Sequence, residues 1–559
     1  RKKLYFGSNN ITTNDFYTAA EIDQNNVKLL NLTGAIASEA RESQTAISYL
    51  KKSLSIAEQQ PEALFLLGNA LSALRNFEES SEIFENLLNI QPDNIDALVN
   101  LGLCMEQLGK LAKLEQYLKK ALNLDPTHPE ANNALAGLFN KKKRHDKALI
   151  YANAAVNKDP DKIEYFLTLG STLHLLNDHK GAVEIFQTAL KLHSNNPTIL
   201  CELADSLYKL ENFTEAEKHY ESALKLSPKS LKILASAGAF YQNTRKSKNA
   251  LEVYKRYLDI NPKDVGMRNN LGIVYRDLEL FDEAEATYLE SVNQSKLSTF
   301  VYNNLAILAM EMGKPTESVD YYNKVLEIDP NYASARSNML FYMNYLSSIS
   351  AEEIYQEHIK WDDMHGIPLL KDEIVHGNDI STDRKLRIGY ISSDFYGHAV
   401  SYFTEAALKN HDTDNFDIFC YADVKTPDNL TKRLKSYNNT WRDIQPLKPE
   451  ETADLIRNDK IDILVDLSGH TAGHKLIELS MKPAPVQVTW IGYPNTTGLK
   501  TMDYRFVDHI TDPVGLADEI HSEKLWRLPR SFTCYTPQKD EPSKTSLPAR
   551  KNGYITFGS

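Results

Sequence analysis

Small and apolar residues recur every 34 positions through the first 330 residues of the chain. One phase of this repeat always holds glycine or alanine, at Gly34, Gly68, Gly102, Ala136, Gly170, Ala204, Gly238, Gly272 and Ala306. Other phases hold a second small residue (Ala148, Ala182, Ala216, Ala250, Ala284), an aromatic residue (Phe84, Phe186, Tyr220, Tyr254, Tyr288, Tyr322) and a proline (Pro92, Pro126, Pro160, Pro228, Pro262, Pro330). A unit of this length predicts a pair of antiparallel helices that stacks on the next pair.

Each recurring position has a mechanical reason. Small residues let helix A and helix B of one unit approach closely, and the aromatic residue is expected to fill the space between neighbouring pairs. The proline ends helix B because it lacks an N–H and clashes with a continuing helix. The pattern resembles the tetratricopeptide repeat, with about nine units over 25–332 and a capping helix over 334–345, together a solenoid over 25–346. Residues 1–24 are expected to form a partial repeat or a flanking helix.

A solenoid of this kind is a binding surface. Its concave face includes the residue two positions before each glycine or alanine of the first phase, and three of these positions hold Asn100, Asn270 and Asn304. An asparagine amide can bond both the N–H and the C=O of a peptide, whatever the peptide's sequence. These residues are candidates for an acceptor-peptide groove, and ordinary polar groove residues are the alternative.

The periodicity ends after Pro330 and a different pattern follows. Residues 350–365 predict an amphipathic helix with Ser350 as its N-cap, inside a helical linker over 347–384. From residue 385, short β-branched and aromatic runs alternate with helical stretches. The predicted strands are 386–392, 416–421, 461–467, 486–491 and 504–507, and the predicted helices between them include 402–409 and 449–458. Such alternation predicts a parallel α/β sheet within 385–559.

Polar, glycine-containing loops follow three of these strands. Because ligands bind at the carboxyl edge of parallel sheets, the three loops are expected to converge on one site. They carry, in order, His398; Asp466, His470 and Thr471; and Gly492, Tyr493 and Pro494. Their spacing alone indicates an enzyme or a ligand-binding site, with a structural role for each histidine as the alternative. No metal site is predicted, since the acidic pair Asp412 and Asp414 is expected to form a solvated turn.

Charge and composition argue against several classes of protein, including nucleic-acid-binding and membrane-spanning proteins. Acidic residues outnumber basic ones by 75 to 63, and a net charge of −12 argues against nucleic acid and anionic membranes as partners. No apolar run approaches the roughly 18 residues that a membrane helix needs. The 4 cysteines lie far apart, which is typical of reduced thiols in a cytosolic or nuclear protein.

Four C-terminal phrases, joined to the repeats, resemble the O-GlcNAc transferase family: SSDFYGHAVSYF, IDILVDLSGHTAGHKL, KPAPVQVTWIGYPNTTGL and MDYRFVDHITDP. The phrase WIGYPNTTGL is most similar to the Spindly branch of that family. The resemblance implies a Rossmann-like first lobe of a GT-B-type glycosyltransferase. It also implies an inverting enzyme of the cytoplasm and nucleus, without a cofactor, that transfers one sugar to Ser or Thr of proteins. The donor would be UDP-GlcNAc, or GDP-fucose as in Spindly proteins.

The resemblance also assigns roles to the loop residues. His398 matches the base proposed for the family, and Asp466 and His470, in the loop near the sugar, are the other two catalytic candidates. Thr471, Gly492, Tyr493 and Pro494 would approach the donor. The groove asparagines would bind protein acceptors, and the repeats could also mediate a homodimer.

The same residues leave one alternative function open and raise one expectation about the length of the catalytic domain. A repeat scaffold without catalytic activity is the rival from another functional class. Within the enzyme class, the second, nucleotide-binding lobe of the family would begin after residues 557–559. We therefore expect the 559-residue stretch by itself to be inactive.

Overall fold

The structure, a computed structural model, describes residues 13–295, 297–371, 375–381, 383–437, 439–535 and 546–556. Two of our expectations fall elsewhere: the repeat phase at Lys296 and the start of another lobe at 557–559 lie outside the described residues. The chain divides into two compact units, Arg1–Pro262 and Lys263–Ser559. Each unit is described by itself below.

The first unit is a stack of helix pairs. Its described helices are α1 (Thr13–Ile22), α2 (Val27–Glu39), α3 (Ser43–Ile56), α4 (Pro61–Ala73), α5 (Phe77–Ile90), α6 (Ile95–Gln107), α7 (Leu111–Leu124), α8 (Pro129–Lys141), α9 (His145–Lys158), α10 (Ile163–Leu175), α11 (His179–Leu192), α12 (Pro197–Lys209), α13 (Phe213–Leu226), α14 (Leu231–Asn243) and α15 (Ser247–Ile260). From α2 onward, each helix A has 13 residues and each helix B has 14. The repeat predicted from the sequence is confirmed.

The second unit joins the last repeats to an α/β domain. Its described helices are α16 (Val265–Asp277), α17 (Phe281–Gln294), α18 (Thr299–Glu311), α19 (Pro315–Ile328), α20 (Ala333–Met343), α21 (Ala351–Trp361), α22 (Ala399–Lys409), α23 (Asn429–Lys435), α24 (Pro449–Asn458), α25 (Leu476–Ser480) and α26 (Pro548–Asn552), with a π-helical turn (Asp362–Gly366) and short 3₁₀ turns (Ile367–Leu369, Asp518–Ile520). Its strands are β1 (Leu386–Ser392), β2 (Phe416–Ala422), β3 (Thr440–Asp443), β4 (Ile463–Asp466), β5 (Val486–Thr489), β6 (Tyr504–Asp508) and β7 (Lys524–Leu528).

The turn between helix A and helix B has the same backbone in every repeat. One residue per repeat lies in the left-handed region, at Arg41, Arg75, Gly109, Lys143, Asn177, Glu211, Arg245, Glu279 and Gly313, with φ between 57° and 73°. Only two of them are glycine, so most repeats hold a side chain in a conformation that disfavours it. Tertiary packing therefore determines this turn more than the local residue does.

The ring at the aromatic position contacts two repeats. It reaches the next pair of helices as expected, with Tyr220 4.9 Å from Phe240 between ring centroids, and it also lies against the small residue of helix A in its own repeat. A Cβ added to Gly170 would be 2.0 Å from Cζ of Phe186, and one added to Gly238 would be 2.4 Å from Cε1 of Tyr254. The small residue is thus needed for the ring as well as for the approach of the two helices.

All seven described strands form one parallel sheet in the order β3-β2-β1-β4-β5-β6-β7. The five predicted strands are present with shifts of a few residues, whereas β3 and β7, at the two edges, were not predicted. The chain moves outward from β1 to β3 and then returns to place β4 beside β1. This order is that of a Rossmann-like sheet, as expected.

Both faces of the sheet are buried. One core lies against α22 and α23 and includes Tyr390 and Val465. The opposite core lies against α24 and α25 and includes Ile391 and Leu464. It continues into the end of the repeats through Met339 of α20, so the last repeat helices and the sheet share one core.

Candidate active site

The carboxyl ends of β1 and β4 are adjacent at the point where the strand order reverses. Ile391 lies opposite Asp466 in the parallel register, so the loops that follow the two strands leave the sheet side by side. Crevices at this position of open parallel sheets bind ligands. The loop after β1 also contacts the loop after β4 directly, because Ser393 Oγ donates to the carbonyl oxygen of Ala472 at 3.4 Å.

His398 lies in the loop after β1 and caps α22. Its Nδ1 accepts the N–H of Val400 at 3.3 Å, in the way that Asn or Asp caps many helices. The side chain keeps 40% of its surface exposed. Among the described residues, Nε2 of this ring has no hydrogen-bond partner. The imidazole thus lies at the carboxyl edge of the sheet. Its Nδ1 bonds the protein, and its Nε2 is left for a ligand.

Asp394 accompanies His398, four residues earlier in the same loop. Its Oδ2 lies 3.7 Å from Nδ1 of His398. The backbone of Asp394 is held on both sides, since its N–H donates to Ser392 Oγ at 2.9 Å and Ser401 Oγ donates to its carbonyl oxygen at 2.6 Å. Its carboxylate accepts from Ser393 Oγ at 3.3 Å. Burial raises the pKa of Asp394, and the nearby His398 opposes that shift. Our sequence reasoning missed this residue, although an acid four positions before the histidine was a readable signal.

Asp466, at the end of β4, is fully buried and accepts three hydrogen bonds. Ser468 and Gly469 donate their N–H groups at 3.1 and 2.8 Å, and Thr489 Oγ1 donates at 2.9 Å. Burial raises the pKa of Asp466 even though these bonds oppose the shift. The carboxylate therefore fixes the start of the loop after β4 and ties it to β5.

His470 is buried in the same loop, and both of its ring nitrogens are occupied. Nε2 lies 2.8 Å from the carbonyl oxygen of Thr497, so it must carry the proton and donate. Nδ1 then accepts from Ser337 Oγ at 3.0 Å. Burial lowers the pKa of His470 well below its usual value, and the ring is neutral. Because both nitrogens bond the protein, this geometry suits a positioning role for His470.

The loop after β5 approaches the loop after β4 at backbone distance. A Cβ on Gly492 would lie 2.0 Å from the carbonyl oxygen of Leu467, so only glycine fits. Tyr493 is buried, and its hydroxyl bonds Asn344 and His358 rather than facing the crevice. Pro494 is exposed, and the half-buried Thr471 donates its hydroxyl to Ser468 O at 2.8 Å.

The loop after β5 is also held by hydrogen bonds with two buried charged residues, Glu523 and Arg505. Glu523 accepts from Thr496 Oγ1 at 2.6 Å and from the N–H of Thr497 at 2.7 Å. Arg505, also buried, donates to the carbonyl oxygens of Tyr493 and Asn495. None of these partners was predicted, because they are polar residues of β6 and its neighbours that share no motif with the loop. These bonds join the loop after β5 to β6 and to the residue that precedes β7.

Two of the three groove asparagines, Asn100 and Asn304, bond an asparagine of the preceding repeat. In the first unit, Asn100 Nδ2 donates to Asn69 Oδ1 at 2.9 Å, and both line a cavity of about 310 Å³. In the second unit, Asn304 Nδ2 donates to Asn269 Oδ1 at 2.8 Å, and Asn270 is half-buried. Asn69 and Asn269 were not predicted, although asparagines on the same helix A face were a usable signal. In each pair, the donating asparagine keeps its own amide oxygen and its second amide N–H for a ligand.

Two other classes of site were searched for within the described parts of the chain. No group of three or more His, Cys, Asp or Glu side chains there is placed to hold a metal ion. Asp412 instead bonds within its own turn, accepting from the N–H of Asp414 at 3.0 Å and from Asn415 Nδ2 at 2.6 Å. The described helices include none that is both long and apolar enough to span a membrane.

Comparison with known proteins identifies both parts of the chain. Residues 360–538 match glycosyl transferase family 41, and tetratricopeptide repeats match residues 37–102, 95–128, 112–163 and 300–332. A rice (Oryza sativa subsp. japonica) protein described as a probable UDP-N-acetylglucosamine–peptide N-acetylglucosaminyltransferase SPINDLY is 43% identical over 245 residues, which are 43% of this chain and 26% of the relative.

More distant relatives point to the same family. An Arabidopsis thaliana protein, described as a probable UDP-N-acetylglucosamine–peptide N-acetylglucosaminyltransferase SEC, is 37% identical over 27% of this chain and 15% of its own. The structure resembles a mutant O-GlcNAc transferase of Thermobaculum terrenum with a TM-score of 0.51 and 30% identity, covering 57% of this chain and 61% of that one. The matched region spans about a quarter of the SPINDLY relatives.

Proposed function

Because the chain belongs to the O-GlcNAc transferase family, close to its SPINDLY branch, we propose that it supplies the repeats and the first catalytic lobe of a protein O-glycosyltransferase. The complete protein transfers a single sugar from a nucleotide sugar to Ser or Thr of cytoplasmic and nuclear proteins. The observation that carries the proposal is the pair of His398 and Asp394 at the reversal point of the sheet, with the histidine exposed and the acid buried.

The pair suits removal of a proton from an acceptor hydroxyl. When Nδ1 of His398 carries the ring proton, it is directed at the Asp394 carboxylate, and Nε2 has a lone pair for the hydroxyl proton. The imidazolium that forms lies 3.7 Å from a carboxylate that balances its charge. When Nδ1 instead accepts the Val400 N–H, the proton lies on Nε2 and the ring cannot act as a base. The structure shows the Val400 bond. The proposal therefore requires the other tautomer, whose Nδ1 proton the Asp394 carboxylate attracts.

The remaining loop residues hold the loops after β4 and β5 in place around the crevice. Asp466 holds the loop after β4, His470 joins that loop to the one after β5, and Gly492 allows the two backbones to touch. Thr471 and Pro494, at the accessible rim, are the residues that we propose to meet the donor. An enzyme of this kind gains from such rigid loops, because a preorganised site needs little rearrangement in the transition state.

We propose UDP-GlcNAc as the donor, and GDP-fucose as the alternative. The names of the SPINDLY and SEC relatives support the first, and the resemblance of WIGYPNTTGL to the Spindly branch supports the second. The decisive experiment incubates the full-length protein and a protein acceptor with each donor and records the acceptor's intact mass. The two sugars add different masses. An unchanged mass with both donors would instead support the scaffold without catalytic activity.

We further propose that acceptor proteins lie along the repeats and are bound by the groove asparagines. Replacing Asn270 and Asn304 by alanine should raise KM for protein acceptors more than for short peptides, because only a long chain reaches the groove. Asn153→Ala is the matched control, since this asparagine is exposed on helix B and bonds only its own helix at 2.9 Å. Equal effects on proteins and peptides would contradict the groove assignment.

A further inference from the structure

The helices that follow the last repeat bond directly to two of the loops around the candidate active site. Ser337 and Asn344 come from α20 and its end, and His358 comes from α21. Ser337 bonds His470 in the loop after β4, whereas Asn344 and His358 bond Tyr493 in the loop after β5. These contacts join residues that are 133 to 149 positions apart in the chain.

The bonds to the second loop form a chain in which every donor has an acceptor. Asn495 Nδ2 donates to Asn344 Oδ1 at 2.9 Å, and Asn344 Nδ2 donates to Tyr493 Oη at 3.1 Å. His358 Nδ1 lies 2.7 Å from the carbonyl oxygen of Ile354, so this nitrogen carries the ring proton. Nε2 must then accept from the Tyr493 hydroxyl, at 2.8 Å. The direction of each bond is thereby determined.

A second connection runs beside the first. Ser337 Oγ donates to His470, whose other nitrogen donates to Thr497 in the loop after β5. The rings of His358 and His470 meet edge to face at 5.1 Å, and Trp361 packs on His470 at 5.3 Å. Since both histidines are buried, a lost bond leaves a polar group without water, which is costlier than the loss of an exposed bond.

We propose that Asn344 and His358, which lie outside the α/β domain, are positioning residues for the transferase site. The proposal rests on the function proposed above. It means that the loops after β4 and β5 take their working geometry only when α20 and α21 are packed against the sheet domain. The end of the repeats would then be part of the catalytic machinery as well as a route for acceptors.

The test compares Tyr493→Phe and Asn344→Ala with the control Tyr342→Phe in the full-length protein. Tyr342 is a partly buried tyrosine of α20 outside the hydrogen-bond chain. Hydrogen–deuterium exchange of residues 468–474 and 492–499 is measured first, because it needs no enzyme activity. Loss of one buried bond should speed exchange of these loops about threefold to tenfold in the two test variants and leave the control unchanged.

Kinetics then connect positioning to turnover. With the preferred donor, kcat should fall about tenfold in both test variants, while KM for protein acceptors changes little and the melting temperature falls by only several degrees. The double variant should lose no more activity than the larger single loss, because both changes break the same chain. Unchanged exchange in the loops, or additive losses in the double variant, would overturn the proposal. Accelerated exchange in a protein that transfers no sugar would support the positioning and refute the proposed function.

Discussion

Replacing Gly492 by alanine tests whether the loops after β4 and β5 must touch for the site to work. The new Cβ would lie 2.0 Å from the carbonyl oxygen of Leu467, 2.7 Å from its carbonyl carbon and 2.9 Å from Cα of Ser468. Real Cβ atoms essentially never come within 3.0 Å of another heavy atom. Because all three neighbours are backbone atoms, no side-chain rotation can relieve the contact, and one loop must move by roughly 1 Å.

The cost follows from what holds the two loops. Overpacking costs about 1–3 kcal/mol, and a shift that breaks one of the buried bonds of Asp466 or His470 adds about 1 kcal/mol. The total of about 2–4 kcal/mol should lower the melting temperature of the second unit by roughly 5–15 °C. Sugar transfer should fall by more than about tenfold at temperatures where the variant is still folded, because misplaced loops lose their orientation.

The melting temperature and the rate of sugar transfer are measured for Gly492→Ala and for the control variant Gly137→Ala. Gly137 lies inside α8, and no heavy atom lies within 4 Å of the position that its Cβ would occupy. Alanine there should stabilise the protein by about 0.5–1 kcal/mol. A Gly492→Ala protein that melts and turns over like the parent would refute the close contact of the two loops.

Two features of the repeats also predict measurable changes in stability. Asp205 is largely buried, accepts a hydrogen bond from Tyr220, and has a pKa raised by burial to about 6 from 3.8. Since the folded chain holds this proton more tightly than the unfolded chain, its contribution of at most about 3 kcal/mol is complete below about pH 4 and is lost as the pH rises through about 6. The unfolding free energy of Asp205→Asn should lack this part of the pH dependence, and an identical pH profile would contradict the assignment. Glu211 is held at φ 60°, so Glu211→Gly should raise the unfolding free energy of the protein by about 1 kcal/mol, and Gly109→Ala should lower it by a similar amount. Equal unfolding midpoints in denaturant would rule out strain at this turn.

The repeats could be predicted from the sequence because their signal is summed over many units. Small, aromatic and proline positions each recur in phase, so a single exception such as Ala152, where other repeats have a ring, does not hide the pattern. The left-handed turn residue is just as regular in the structure but was not predicted. Its side chains range from glycine to arginine, and the conformation is imposed by the packing of the two helices.

The edge strands escaped prediction for a different reason. β3 is the four-residue stretch TWRD, and β7 is KLWRL, in which charged residues interrupt the apolar pattern. The pairing of β3 with β2, and of β7 with β6, decides their conformation. Strand propensity is too dependent on such neighbours to be read locally.

The candidate site could be located from the sequence, but the roles of its residues could not all be assigned. The ends of the predicted strands located the three loops. His398 lies at the predicted edge of the sheet, with 40% of its side-chain surface exposed. The burial of His470 depends on Ser337, 133 residues away, and a sequence does not show such a contact. Asp466 is a similar case, because its third hydrogen bond comes from Thr489 on the next strand.

The most direct test of the proposed base compares the turnover of two variants of the full-length protein, His398→Ala and the control His128→Ala. His128 is a close match, because it also caps a helix through Nδ1, at 3.3 Å from Ala131 N, and also lies beside an aspartate, Asp96 at 3.3 Å. It belongs to the repeats, far along the chain from the sheet. With both variants folded, His398→Ala should lower kcat by about 10²–10⁴-fold with little change in donor affinity, and His128→Ala should keep its turnover. A folded His398→Ala protein with near-normal turnover would contradict the assignment of the base and of the site at the reversal point of the sheet.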